Sequence, residues 1–157
     1  MSRLSTIRGV LVAGAAMLLA VSAASASGPY QFFPVTPCRI VDTRRPTGPT
    51  GGPSLVSLGT RSFPIVGGTC GVPATAKAVT VNVTIANPTN PGYLIVYPYN
   101  ITQPLVSTIN WDAGEYALAN GAIVPLTTDP TFNLSIFAEL YGGGTVNAIL
   151  DVTGYFQ

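Results

Sequence analysis

Histidine is absent from the 157 residues, lysine occurs once, and charged side chains make up 8 % of the chain. Each shortage excludes a class of chemistry. Without histidine no side chain titrates near neutrality by default, and Ser-His-Asp or Cys-His constellations cannot be assembled. Two thiols with no histidine also make a poor zinc set. So few Lys and Arg cannot supply the clustered cations that displace counterions from nucleic acid or dock on anionic lipid. Helical periodicity is missing beyond the N-terminal stretch, where the best candidate, Ala113 to Ala119, is too short to matter. With no alternation of strands and helices, a parallel nucleotide-binding sheet is excluded.

The N-terminal 26 residues read as a secretory signal. Arg3 and Arg8 form a positive start, Gly9 to Ala24 an apolar stretch, and Ala24-Ser25-Ala26 a small-residue cleavage site. The apolar stretch is shorter than the roughly 20 residues a membrane span requires. No cysteine stands at the expected cut to accept a lipid, so the processed product is expected free of membrane. Removal leaves residues 27–157, the size of one domain. In that part Arg39, Arg44, Arg45, Arg61 and Lys77 meet six carboxylates, for a formal charge near −1. A surface this weakly charged gives little protection against self-association.

Cys38 and Cys70 are the only cysteines, and in an exported chain they read as one disulfide. Asp42, Asp112, Asp129 and Asp151 lack the Asp-x-Asp-x-Asp spacing of a calcium loop and read as turn caps, so neither metal nor cofactor is expected. The acids are spread singly. Only Asp112 and Glu115 lie close in sequence, which makes a two-carboxylate glycoside hydrolase the least favoured reading.

Short β segments fill the remainder. Val79, Val81, Val83 and Ile85 alternate with Thr80, Asn82 and Thr84, the two-residue repeat of a half-buried strand. The turn-forming segment Asn87 to Gly92 follows, and Tyr93 to Tyr97 then suggests the second arm of a hairpin. Further strands are expected at 38–43, 61–66, 106–111, 121–127, 131–140 and 145–156. In the last, Val146, Ala148, Leu150 and Val152 share one side. Residues 28–37 form an extended arm, kept from helix by Pro34 and Pro37. The expected fold is an all-β antiparallel sandwich or jelly roll of about eight strands, with a closed barrel as the alternative.

Seven tyrosines and Trp111 offer flat amphipathic rings, suited either to packing or to stacking on sugars. Asn82, Asn100 and Asn133 begin Asn-x-Ser/Thr triplets that would accept glycans in a eukaryotic secretory route.

Pro37-Cys38-Arg39-Ile40-Val41-Asp42-Thr43-Arg44, Ala78 to Thr84, Gly92-Tyr93-Leu94 with Tyr97-Pro98, Ser107 to Asn110, Ala119-Asn120 and Asp151 to Phe156 occur in a specific order and spacing. In these the chain resembles a family of exported bacterial β-rich modules, from about residue 34 to the C-terminus. Members stand alone behind a signal peptide or are appended to cell-wall hydrolases and peptidases. The resemblance implies an accessory, non-catalytic extracellular module and supplies no active site. Its relatives commonly lack the cysteine pair, so the disulfide marks a subgroup.

The polar members of the motifs, Arg39, Asp42, Arg44, Asn82, Asn110, Asn120 and Asp151, are expected to form a buried network that fixes strand order. The leading functional expectation is a secreted structural or adhesive module of the cell envelope. It would self-assemble through the arm that carries Tyr30, Phe32 and Phe33, with a second copy of itself as partner. The alternative is a carbohydrate-binding module for cell-surface polysaccharide.

Overall fold

The computed structural model describes residues 29–157, so the expected signal peptide and its cleavage site lie outside the described residues. Among the described residues nine strands follow one another: β1 (Phe32–Asp42), β2 (Leu55–Val56), β3 (Gly59–Phe63), β4 (Ala78–Ala86), β5 (Gly92–Pro98), β6 (Ile109–Trp111), β7 (Ala117–Pro125), β8 (Leu134–Leu140) and β9 (Thr145–Phe156). One sheet has the order β1-β9-β4-β7 with β2 also on β9; the other has the order β3-β8-β5-β6. Every strand pairing is antiparallel. The sheets keep separate edges, so the fold is the expected sandwich and the closed-barrel alternative is set aside.

The core forms where the alternating strands turn their apolar sides inward. Val79, Val83 and Ile85 of β4 and Val146, Ala148, Leu150 and Val152 of β9 are fully buried. Opposite them lie Leu94 of β5, Phe63 of β3, and Leu134, Ile136 and Ala138 of β8, equally buried. Each large aliphatic or aromatic chain so buried contributes about 1.5–3 kcal/mol.

The expected hairpin of β4 and β5 does not form. β4 is flanked by β7 and β9, whereas β5 lies between β6 and β8 in the other sheet. The segment from Asn87 to Gly92 therefore crosses from one layer to the other. Its length and its two prolines suit a crossing of the roughly 10 Å between packed sheets better than a tight turn.

Strand boundaries differ in ways that follow from local chemistry. The expected arm and the 38–43 strand are one continuous edge strand, β1, whose prolines are tolerated because one side needs no ladder donors. Residues 106–108 stay in the loop before β6, where the Val96 N–H is taken by Thr108 Oγ1 at 2.8 Å. The end of the short helix candidate is instead the start of β7. Cys38 and Cys70 are joined across 32 positions, with Cα atoms 5.5 Å apart. That link ties β1 to the β3–β4 loop. Closing such a loop is worth roughly 3–4 kcal/mol in the chain-entropy account. It also fits an oxidising, extracellular setting. Among the described residues no helix is long and apolar enough to cross a membrane.

Candidate functional site

Two places gather chemistry. The first is the outer face of the β1-β9-β4 sheet, where motif residues from both ends of the sequence meet. Arg39 and Asp151 are register partners and form a two-pronged pair. Asp42, at the end of β1, accepts from the Arg44 backbone N–H at 3.2 Å and from its Nε and Nη2 at 2.9 and 2.8 Å. Arg39 and Arg45 approach the same carboxylate at 3.6 and 3.8 Å. The Arg44 hydrogen bonds, assisted by the nearby Arg39 charge and opposed by burial, hold the Asp42 carboxyl at about 2, below its ordinary 3.8. Arg39 and Arg44 shift upward through their hydrogen bonds to Asp151 and Asp42 respectively. Thr43 completes the junction, accepting from Ala148 N–H at 3.0 Å and donating to Asn147 Oδ1 at 3.1 Å.

The expected buried network is thus corrected in two respects. Only Asp42 among its members is buried, at 4 % exposure, and the arginines around it face solvent. Asn82 sits beside this cluster opposite Asp151 but bonds to Thr84 Oγ1 at 3.3 Å. Asn110 and Asn120 lie elsewhere, on β6 and β7, bonded to Ser107 Oγ and to the Thr108 carbonyl. The aromatic segment is likewise engaged within its own chain. Phe32 lies against Phe156 and Phe33 stacks on Tyr155, with centroids 5.3 and 5.2 Å apart, while Tyr30 precedes the strand and is partly exposed.

The second place is a groove of about 300 Å³ on the outer face of the other sheet. Ile95 lines it from β5, and Tyr93 and Tyr141 contribute their rings, with centroids 6.5 Å apart. Asn110, Gln103 and Ser107 supply polar groups, and Pro104 to Val106 form the far wall. That wall is fixed to β5 by the Thr108 N–H bond to the Leu94 carbonyl, 2.8 Å, and by the Thr108 hydroxyl. Tyr93 donates to Glu139 Oε2 at 2.5 Å, and this bond to a carboxylate pushes the phenol pKa upward. Tyr141, 60 % exposed, also lines a second cleft of about 500 Å³ with Leu58, Glu139 and Gly142 to Gly144. One exposed ring thereby borders two adjoining depressions.

Three further aromatics pack, whereas Tyr116 is exposed. Trp111 is buried and donates its indole N–H to the Asn90 carbonyl at 2.8 Å; Tyr97 is buried; Tyr99 meets Phe132 edge-on. The carboxylates are engaged separately: Asp151 with Arg39, Glu139 with Tyr93, and Asp129 as a cap accepting from Thr131 and Phe132 N–H, while Asp112 and Glu115 are exposed.

Sequence reasoning missed two centres. Asn133, noted only as a glycan acceptor, is buried at 2 % exposure. Its Oδ1 accepts from Ile65 and Val66 N–H at 2.7 and 3.0 Å, and its amide donates to the Thr127 and Asp129 carbonyls. Buried and fully bonded, it cannot carry a glycan in the folded domain. Arg61 clamps the 51–53 loop through the Gly51 and Pro53 carbonyls and lies 4.9 Å from the centre of the Phe63 ring. A polar residue within β3 or just before β8 gave no distinguishing signal in either case. No protein-family model, curated protein or solved structure matches the chain.

Proposed function

We propose that this is a secreted, non-catalytic adhesive module of the cell envelope, and that it holds polysaccharide along the Tyr93–Tyr141 groove. The observation that carries this reading is the pairing of two tyrosine rings, 6.5 Å apart, with the side-chain amides of Asn110 and Gln103 in one cleft. A pyranose presents apolar C–H faces and a rim of hydroxyls. Tyrosine faces suit the first, and amides, which both donate and accept, suit the second. Tyr141 borders a further cleft, which favours a chain of sugars over a single ring. Among the described residues, Arg39, Arg44 and Arg45, clustered on the other sheet, and Arg61, bound to loop carbonyls, lie outside the groove lining, which favours a neutral polymer. The N-terminal signal pattern, the disulfide and the resemblance to exported modules support the extracellular placement.

Pull-down on purified peptidoglycan and insoluble glucans, with a glycan array for soluble chains, tests the reading. Retention on at least one polysaccharide is expected. Tyr141→Ala, at an exposed position, should lower affinity about tenfold while leaving the melting temperature unchanged. Absence of retention on every polysaccharide overturns the proposal.

A further inference from the structure

The two outer edges of the β1-β9-β4-β7 sheet are built differently. β1 carries Pro34 and Pro37 and breaks register with β9 in two places, both devices that discourage further pairing. β7 has neither. Over its nine residues it carries no charge, its only proline is the terminal Pro125, and Ala117 to Gly121 are all exposed. A long, neutral, uncovered edge is a template for another strand.

Its hydrogen-bonding pattern fixes which groups are offered. Leu126 N–H donates to the Lys77 carbonyl and Asn87 N–H donates to the Tyr116 carbonyl, each 2.8 Å, at the two ends of the β4–β7 ladder. Antiparallel residues alternate between pairs bonded to each other and pairs whose backbone groups point away. Leu118, Asn120, Ala122 and Val124 therefore bond toward β4. Ala117, Ala119, Gly121 and Ile123 direct their N–H and C=O groups to the free edge.

We propose that β7 pairs with β7 of a second copy of this chain about a two-fold axis at Asn120. In that register Ala117 stands opposite Ile123 and Ala119 opposite Gly121. Every outward group of the strand before Pro125 is satisfied, and the proline, which lacks an N–H, is left out of the ladder. A shift by one pair toward the C-terminus would set Pro125 against Ala117 and lose that bond. The pairing is self-complementary, as a two-fold contact requires. Asn120 faces its own copy, Leu118 faces Ala122, and the near-zero net charge imposes little repulsion between copies. The edge belongs to the sheet opposite the groove and meets the groove wall through the Asn120 bond to the Thr108 carbonyl, so Ala119→Pro, which leaves that bond in place, separates this assembly from polysaccharide retention.

Sedimentation and cysteine scanning decide it, using protein processed from the full chain. A dimer is expected, and Ala119→Pro should weaken it about tenfold or more, since the lost N–H occurs twice per dimer and points away from β4. Asn120→Cys places two thiols at a non-hydrogen-bonded pair, close enough for an intermolecular disulfide on non-reducing electrophoresis. Leu118→Cys, opposite Ala122 in the proposed register, should not cross-link. A monomer mass at every concentration, or equal cross-linking from positions 118 and 120, overturns the proposal. If Ala119→Pro does not fold, the cysteine pair still decides.

Discussion

Arg39 stands opposite Asp151 across the β1–β9 ladder, and its guanidinium meets both carboxylate oxygens, Nε to Oδ1 at 2.8 Å and Nη2 to Oδ2 at 3.0 Å. The geometry is good, but the Arg39 side chain is 39 % exposed. Water already solvates such a pair, so holding it adds little: about 0.2–1 kcal/mol for an exposed ion pair. A double-mutant cycle with Arg39→Ala and Asp151→Ala, followed by urea unfolding, should return a coupling in that range and shrink in high salt. The pair sits between the two breaks in the β1–β9 register.

Asp42 behaves differently because it is buried while its cationic partners reach in from solvent. Its pKa falls from 3.8 to about 2 on folding. A depressed folded value means the stabilisation is fully present above the unfolded carboxylate value near 4 and is lost as pH falls through about 2. The exposed arginines screen part of it, leaving roughly 1–2 kcal/mol. Chemical unfolding of the wild type and Asp42→Asn should therefore give a stability gap that is constant from pH 7 to pH 5 and closes between pH 4 and pH 2. A gap independent of pH in that interval would assign the effect of the substitution to packing alone.

Asn133 joins three segments in one residue. Its Oδ1 satisfies the N–H groups of Ile65 and Val66 after β3, and its amide satisfies carbonyls before β8. Asn133→Ala leaves four backbone groups without this partner, the Ile65 N–H buried and the other three partly shielded, and a fully buried unmet group costs about 1–3 kcal/mol. A loss of roughly 3 kcal/mol is expected in urea unfolding, with Asn133→Asp intermediate, since it keeps the acceptor and loses the donor. Equal effects from both substitutions would show that the donor side dominates.

The two alternating strands, β4 and β9, were legible because apolar side chains recur with period two, and burial follows that repeat except at Ala86 and Ile149, which are buried on the opposite face. Which strands pair was not legible. The β4–β5 segment reads locally as a hairpin, yet β4 has both of its edges occupied by β7 and β9, strands distant in sequence. Likewise, Asn110 and Asn120 share only sequence motif status with Asp42 and Arg44 and serve the β6 approach and β7 instead. The groove was the least legible part. Tyr93 and Tyr141 look no different in sequence from Tyr97 and Tyr99, and only the loop carrying Gln103 to Ser107, folded against β5, distinguishes them.

Two strand glycines, Gly92 of β5 and Gly121 of β7, should respond oppositely to substitution. Gly92, where the chain enters β5, has no room for a side chain: an added Cβ would stand 2.0 Å from the Glu139 carbonyl oxygen and 2.9 Å from Leu140 Cα. Both are backbone atoms of β8 and cannot rotate away, so Gly92→Ala must push β5 from β8 at a cost of about 1–3 kcal/mol. The same displacement separates Tyr93 from Glu139, so polysaccharide retention should fall with stability. At Gly121 an added Cβ meets nothing within 4 Å. There, removing backbone freedom from the unfolded chain should leave Gly121→Ala neutral or stabilising by up to about 1 kcal/mol. Thermal unfolding of both variants beside the wild type checks the contrast. A destabilised Gly121→Ala alongside an unaffected Gly92→Ala would refute the strand packing from which the groove is derived.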